Sequence, residues 1–166
     1  SALAIRYLLL SVPYRKQLNF TFEGLQGAES TVERLRNFRR SVSDAVTESG
    51  SHSGVQAAVE NALRTFGSAM DDDLNTAAGL AAVHDLVREI NSALAKGGIR
   101  SDDKAAVLGA IEKFESVLGI FGTMETEILD DEIESLISER QDARRNRNFA
   151  RSDEIRDLLA DKGIIL

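Results

Sequence analysis

The stretch MDDDLNTAAGLAAV (residues 70–83) places three consecutive aspartates directly before an apolar run. Consecutive side chains point in different directions, so these carboxylates rarely converge on one metal ion, and a calcium loop needs ligands at alternate positions with a glycine. A helix start fits better, because its dipole favours nearby carboxylates and Asn or Thr can cap it. We therefore expect a helix start, or a contact with a basic partner, and no metal. The residues with this structural role are Asp71, Asp72, Asp73, Asn75 and Thr76, with Thr76 the favoured cap.

Apolar residues recur at helical spacing on both sides of this stretch. Pro13 should end a first helix near Ser11, and Thr21 should cap the next one. A brief alternation in residues 18–22 predicts a strand or an extended link. We predict an all-α protein, with an antiparallel helical bundle followed by a small C-terminal helical hairpin. The first predicted helix ends near residue 11, and others cover about 22–47, 55–69, 101–118, 130–146 and 149–162. One more begins after the Asn75-Thr76 cap and ends at Gly97-Gly98.

Composition excludes several kinds of site. The 166 residues contain no cysteine, which removes disulfides, thiolate zinc sites and a cysteine nucleophile. Of the two histidines, His52 falls in a Ser/Gly loop and is expected to be exposed, whereas His84 is expected to be packed or half-exposed. No apolar run is long enough for a membrane span. The net charge of −7 argues against wholesale wrapping by nucleic acid, and no DNA partner is expected.

Charge is distributed unevenly near the end of the chain. Residues 140–151 contain five arginines and one acid, whereas residues 125–134 contain six acids and no base. A local cationic block beside an acidic one indicates a local anionic partner.

The stretch ERQDARRNRNFARSDEIRDLL (139–159) predicts a basic helix, a turn at 146–148 and a second helix beginning near Phe149. Phe149 and Asp153 are four residues apart and share a helix face. An aromatic ring flanked by arginines, with an acceptor one turn away, suits an unstacked base. A solvated helix with Phe149 in the core and Asp153 paired to an arginine fits the segment equally well.

Three motifs in order resemble the bacterial cysteinyl-tRNA synthetases: IRYLLLSVPYRKQLNFTFEGL (5–25), MDDDLNTAAGLAAVHDLVREIN (70–91) and ISERQDARRNRNFARSDEIRDLLADKGIIL (137–166). The HIGH-type and KMSKS-type signatures of class I synthetases and the zinc-ligating cysteines are absent. The resemblance therefore implies a C-terminal fragment of such an enzyme. It divides into residues 1–20, the tail of the stem-contact region, residues 21–125, a DALR-type bundle, and residues 126–166, a truncated anticodon-binding element.

The same resemblance implies that the hairpin reads the anticodon of cysteine tRNA with Arg144, Phe149 and Asp153. The charge of the neighbouring residues adds backbone contacts from Arg145, Arg147 and Arg151. Some relatives carry Trp at the position of Phe149, which keeps the stacking surface but adds an indole N–H. Two further departures are Pro13, where the family often has His, and Ala77, where Pro often stands.

By resemblance, the parent enzyme ligates cysteine to its tRNA in the cytoplasm, with ATP and zinc in a catalytic domain that this chain lacks. The chain alone is expected to hold no cofactor and to be inactive. Its expected partners are cysteine tRNA and the N-terminal catalytic domain of the same protein. Two alternatives stay open: the corresponding domain of a mycothiol-pathway cysteine ligase, which has no anticodon to read, and a helical protein-interaction module.

Overall fold

The computed structural model describes residues 1–122, 124–146 and 148–161, except for the side chains of 124–132, 134 and 161. The protein is all-helical over these residues, as predicted. Residues 17–21 link the first two helices without regular structure, so the predicted strand or extended link is a link. The helices are α1 (Ala2–Leu10), α2 (Phe22–Asp44), α3 (Ser53–Asp71), α4 (Thr76–Lys96), α5 (Ser101–Leu118), α6 (Met124–Arg145) and α7 (Phe149–Asp161).

The chain divides into two compact units, Ser1–Phe121 and Gly122–Leu166. In the first unit, α3 and α4 pack along each other, α1 lies on α2, and α5 packs on both α2 and α3. The core contains the rings of Phe66 and Phe114, whose centroids are 4.9 Å apart. Buried aliphatic side chains such as Val42, Leu86 and Ile90 surround these rings. The second unit is the α6–α7 hairpin.

The acidic stretch is a reversal between two helices. Helix α3 runs through Asp71, and Asp72 is its C-cap. The backbone φ angles of Asp73 (53°) and Leu74 (54°) are left-handed, and they turn the chain within four residues. Asp71 and Asp72 therefore lie at the negative end of the α3 dipole, so their assignment to a helix start is wrong. The reason is that α3 continues through Asp71, so that only Asp73, Leu74 and Asn75 lie between its C-cap and the first residue of α4.

The cap of α4 is Asn75, whose Oδ1 accepts a hydrogen bond from the backbone N–H of Ala78 at 3.1 Å. Thr76 is the first residue of the helix, so the preference for Thr76 as the cap is wrong. Gly79 lies one turn further along. A Cβ at this position would lie 2.7 Å from Met70 Cε and 3.3 Å from Phe66 Cε2. Because glycine has no Cβ, α3 and α4 can approach each other closely at this position, near the turn that joins them.

Asp103, in the first turn of α5, is a fully buried carboxylate. It accepts hydrogen bonds from the backbone N–H of His52 (3.0 Å), from Gln56 Nε2 (2.8 Å) and from the backbone N–H of Arg100 (3.1 Å). His52 Nδ1 lies 2.9 Å from the same carboxylate. The ring of His52 is half-exposed, as expected for a loop residue, but it is held in place. One side chain therefore joins the start of α3 to the α4–α5 link.

Backbone and side-chain contacts around Asp103 fix the loop before α3. The backbone N–H groups of Ser101 and Asp102 donate to the carbonyls of Glu48 (2.9 Å) and Gly50 (3.0 Å). Lys104 Nζ donates to the carbonyl of Ala45 at 3.0 Å. The first turn of α5 thus satisfies its free N–H groups with the carbonyls of this loop, and the loop docks onto the helix.

Burial by itself raises the pKa of Asp103, but the hydrogen bonds from His52, Gln56 and Arg100 outweigh it and lower the pKa to about 2. A carboxyl group with a pKa below its unfolded value stabilises the folded state above that value, and this stabilisation is lost as the pH falls through the folded pKa. Asp103 therefore contributes to stability at neutral pH and ceases to do so in acid.

We expect Asp103→Asn to lower the free energy of unfolding at pH 7 by about 2 kcal/mol, the equivalent of the pKa difference between the unfolded and folded states. The original chain should lose this stability between about pH 4 and pH 2, whereas the variant should change less over that range. Urea unfolding measured across the pH range tests this. Asp102→Asn, in the same turn but exposed, is the matched control. Equal losses in the two variants would contradict the role of Asp103.

Candidate nucleic-acid interface

The α6–α7 hairpin turns at the predicted residues. The backbone N–H of Asn148 donates to the carbonyl of Ala143 at 2.8 Å and ends α6. Asn148 Oδ1 then accepts from the backbone N–H of Arg151 at 3.3 Å and caps α7. The predicted turn at 146–148 is confirmed by the end of α6 at Arg145 and the start of α7 at Phe149. Arg147 lies outside the described residues.

A small core holds the two helices of the hairpin together. Its buried side chains are Ala143 on α6 and Ser152, Ile155 and Leu159 on α7. Phe149 takes no part in this core, because 62% of its surface is exposed. The interpretation that places Phe149 in the core is therefore wrong. The first residue of α7 presents an aromatic ring to solvent, where a base can stack on it.

Asp153 lies one turn after Phe149 on α7 and is also exposed. Its Oδ1 accepts from Arg156 Nη1 at 3.0 Å, and Arg156 Nε binds Asp157 at 3.1 Å. Among the described residues, Oδ2 of Asp153 has no hydrogen-bond partner. The pairing of Asp153 with an arginine is thus present, yet one oxygen still faces solvent and can accept from a ligand.

The three described arginines of the predicted interface differ in their surroundings. Arg144 is exposed and makes no ion pair with any residue that the structure describes. Arg145 Nη1 lies 3.6 Å from Asp142 Oδ1, both side chains being largely exposed. Contacts of this kind are weak and readily exchanged for a phosphate. Arg144 and Arg145 are therefore the accessible cations at the end of α6.

Arg151 is bound on two sides. Its Nε donates to Glu139 Oε1 on α6 at 2.9 Å, and its Nη1 donates to Glu154 Oε2 on α7 at 3.0 Å. The Glu139–Arg151 pair spans the two helices of the hairpin. In the sequence, Arg151 is grouped with Arg145, because its partner Glu139 lies twelve residues away and precedes the arginine block.

A second polar cluster joins the α1–α2 link to the α3–α4 turn. Arg15 Nε donates to Asp73 Oδ2 at 2.8 Å, and Tyr14 Oη donates to Asp73 Oδ1 at 2.9 Å. These bonds from Arg15 and Tyr14 lower the pKa of the Asp73 carboxyl. The basic partner expected for the aspartates is therefore Arg15. Both donors directly follow Pro13, the position at which the family often has His.

His84 is half-buried, as expected, and its Nε2 lies 2.8 Å from Tyr7 Oη. Burial lowers the pKa of His84, and the positive charge of Arg34 lowers it further. Burial likewise raises the pKa of Tyr7. At neutral pH the two groups therefore form a neutral hydrogen bond between α1 and α4.

The structure describes no group of three or more His, Cys, Asp or Glu side chains that could hold a metal ion. No helix in the described part of the chain is long and apolar enough to cross a membrane.

Two family matches fall on either side of the boundary between the two compact units of the chain, to within a residue. Residues 65–122 match the DALR domain family, and residues 126–166 match the family of the Cysteinyl-tRNA ligase anticodon binding domain. Similar proteins include the cysteine–tRNA ligases of Koribacter versatilis (35% identical over 193 residues), Solibacter usitatus (40% over 165) and Moorella thermoacetica (41% over 183).

These matches cover 98%, 98% and 99% of this chain, but only 39%, 35% and 38% of the respective relatives. The chain thus spans little more than a third of the length of the proteins that it resembles.

Proposed function

This chain belongs to the cysteinyl-tRNA ligase family, and on that premise we propose that its α6–α7 hairpin binds the anticodon of cysteine tRNA. The observation that carries the proposal is the exposed ring of Phe149 at the start of α7, one turn before Asp153 and directly after the helix end that carries the accessible Arg144. An exposed phenyl ring offers a face on which a base from a single-stranded loop can stack.

Each of the three residues has a distinct task in the proposed complex. The ring of Phe149 stacks on an anticodon base, an interaction that contributes about 1–3 kcal/mol. The solvent-facing oxygen of Asp153 accepts from an exocyclic amine or ring N–H on a base edge, so that it selects the base. Arg156, which holds the other oxygen, keeps the carboxylate in this orientation. Arg144 supplies positive charge next to the stacked base.

The flanking arginines divide into two groups in this proposal. Arg145 contacts the tRNA backbone, since it gives up only a loose pair with Asp142 to do so. Arg147 is also proposed as a backbone contact, on its charge alone. Arg151 instead joins α6 to α7 through Glu139 and acts on tRNA through the shape of the hairpin. Its assignment as a backbone contact is therefore revised.

For the whole protein, we propose the activity in the name of its relatives, ligation of cysteine to tRNA in the cytoplasm, with cysteine activated by ATP. ATP and zinc belong to a catalytic domain outside this chain. The chain has no cysteine to bind zinc, and its described acids and histidines form no cluster that fits a metal. We propose that the chain is inactive alone and that residues 21–125 act as a spacer between the anticodon and the catalytic domain.

Phe149→Ala should weaken binding of cysteine tRNA about 5- to 150-fold, the equivalent of losing one stacked base. Phe149→Trp should keep most of the affinity, because the indole offers the same stacking surface. Leu158→Ala is the matched control, since it removes an exposed apolar side chain from the same helix. Fluorescence titration of labelled tRNA measures all three. If Phe149→Ala binds as tightly as Leu158→Ala, the ring does not stack.

Asp153→Ala should reduce discrimination between cysteine tRNA and a tRNA with an exchanged anticodon, and change affinity for the exchanged tRNA little. The reason is that a carboxylate accepting from one base edge penalises bases that lack the donor. Competition titrations of the two tRNAs give the ratio. Equal affinity for both tRNAs in the unmodified chain and in the intact ligase would contradict anticodon recognition, and would favour a general acidic partner for the hairpin.

Arg144→Gln should lower both the affinity for tRNA and its salt dependence. The slope of log K against log salt should fall by about 0.7 for each single-strand phosphate that the variant no longer neutralises. Arg151→Gln should lower affinity without changing this slope, and Glu139→Gln should have the same effect as Arg151→Gln, since the two share one ion pair. Titrations at several salt concentrations separate these cases. A slope reduced equally by Arg144→Gln and Arg151→Gln would return Arg151 to the residues that bind phosphate.

A further inference from the structure

A groove of about 540 Å³ runs between α2 and α4 in the larger unit. Its apolar lining includes Leu35 and Phe38, which are almost fully buried. Polar side chains form its two walls, and none of the described residues that line it is acidic. The wall residues are Arg34, Asn37 and Ser41 on α2, and His84, Arg88 and Asn91 on α4. We call this site the α2–α4 groove.

The spacing of the wall residues explains why they face one groove. On each helix they follow one another at intervals of three and four positions, so each set forms a single stripe of its helix. The α4 acids Asp85 and Glu89 lie on a neighbouring stripe and line the groove between α3 and α4 instead. In a chain with a net charge of −7, a groove with arginines and without acids favours an anionic ligand.

Helices α2 and α4 run in the same direction, so the two ends of the groove differ. The carbonyl of Glu48, which follows α2, accepts a hydrogen bond from the backbone N–H of Ser101, which follows α4, at 2.9 Å. The C-terminal ends of the two helices are therefore close together. The stripes of both helices start at one end of the groove and finish at the other.

The end at which the stripes start is cationic. Arg34 is exposed, and the only hydrogen bond of its guanidinium among the described residues goes to Thr31 Oγ1 at 2.9 Å. Burial, and after it the charge of Arg34, lower the pKa of His84, so this guanidinium lies close to α4. Arg88, one turn after His84, pairs with Asp85 at 2.9 Å, but both side chains are largely exposed and can exchange partners. Two guanidinium groups can therefore bind one phosphate here.

The other end of the groove carries an amide and a hydroxyl group. The side chains of Ser41 and Asn91 are exposed and make no hydrogen bond to any residue that the structure describes, and Asn37, between the two ends, is in the same state. An asparagine amide offers both a donor and an acceptor, which suits the edge of a nucleic-acid base, and a serine hydroxyl can bond a ribose hydroxyl.

We propose that the α2–α4 groove binds a nucleoside monophosphate, with the phosphate at Arg34 and Arg88 and the base at Asn91. Like the groove, this ligand has an anionic end and an uncharged end that forms hydrogen bonds. The volume of the groove lies within the ~300–1,000 Å³ that is usual for small-molecule sites. The site belongs to the larger unit and uses no residue of the α6–α7 hairpin, so it goes beyond the anticodon role and does not depend on it.

The distribution of charge favours a mononucleotide over a strand of nucleic acid. A strand needs cations that follow its phosphates along the binding surface. In the α2–α4 groove both arginines belong to the cationic end, whereas Ser41 and Asn91 at the other end are uncharged. One phosphate is therefore matched, and a second phosphate further along the groove is not.

Titration of the isotope-labelled 166-residue chain with adenosine monophosphate (AMP), followed by NMR, tests the site. Saturable shifts of the amide signals of residues 34–41 and 84–91 are expected, with a Kd of about 1 mM or below. Adenosine, which lacks the phosphate, should bind at least about tenfold more weakly, because charge-assisted hydrogen bonds are lost. The absence of a saturable shift with AMP up to about 10 mM would overturn the proposal.

Two variants assign the ends of the ligand. Arg34→Gln should weaken binding of AMP and of ribose 5-phosphate alike, at least about tenfold, because both compounds carry the phosphate. Asn91→Ala should weaken binding of AMP about fivefold and leave ribose 5-phosphate unchanged, because only AMP has a base. An equal effect of Asn91→Ala on both compounds would contradict the placement of the base.

Arg64→Gln on α3 is the matched control for Arg34→Gln. Arg64 is also exposed, and its guanidinium also bonds a side chain three residues earlier, Asn61 Oδ1 at 2.7 Å. All the replaced side chains are exposed, so the unfolding midpoint should stay the same in every variant. If Arg34→Gln binds AMP as tightly as Arg64→Gln does, the groove holds no phosphate at Arg34 and the proposal fails.

Inorganic phosphate and a short single-stranded RNA without terminal phosphates examine the other occupants. Inorganic phosphate that binds as tightly as AMP would overturn the assignment to a nucleoside monophosphate. An RNA that shifts the same signals at lower concentrations than AMP would assign the groove to a nucleic-acid strand, and would also overturn the proposal. Weaker binding of both probes than of AMP would support it.

Discussion

The chain must reverse between Asp71 and Thr76 in only four residues, and the arrangement of the larger unit follows from that reversal. Two left-handed residues, Asp73 and Leu74, make the turn possible, and the Asn75 cap starts α4 at once. Because the turn is short, α3 and α4 are held side by side and pack along each other. Gly79 then permits the close contact with Met70 and Phe66 that brings the Phe66 ring against Phe114 on α5.

The same turn also binds the segment that follows α1. The backbone of Asp73 is left-handed, and its carboxylate accepts hydrogen bonds from both Arg15 and Tyr14. The segment that follows α1 is thereby tied to the turn, while Tyr7 ties α1 itself to α4 through His84. These contacts fix α1 from one side only. Its other face leaves Ile5 and Leu9 exposed.

Asp103 illustrates how hydrogen-bond donors accommodate a buried carboxylate. Its oxygens face N–H groups from His52, Gln56 and Arg100, which come from two links and the start of α3. The positive end of the α5 dipole adds to these bonds. The smaller unit uses charge differently: Glu139 and Arg151 join its two helices at the surface, and Arg144 and Arg145 keep their charges available to an anion. One arginine block thus serves both structure and the proposed binding.

The sequence alone determined the order of the helices, the turn at 146–148 and the family, because apolar spacing, caps and motifs are local properties of the chain. It placed the start of α6 near residue 130, whereas the helix begins at Met124. It also singled out Phe149 and Asp153, although it left open whether the ring is buried. Tertiary structure decided what depended on distant partners. Asn75, and not Thr76, is the N-cap of α4, because a four-residue link fixes which residue lies at the helix start. Arg151 pairs with Glu139 on the other helix of the hairpin, and Asp103 contacts His52, which lies 51 residues earlier in the chain. Periodicity shows that Ile5 and Leu9 are apolar. Only the packing of α1 against α2 and α4 shows that they are left uncovered, since exposure depends on which neighbours a helix face meets.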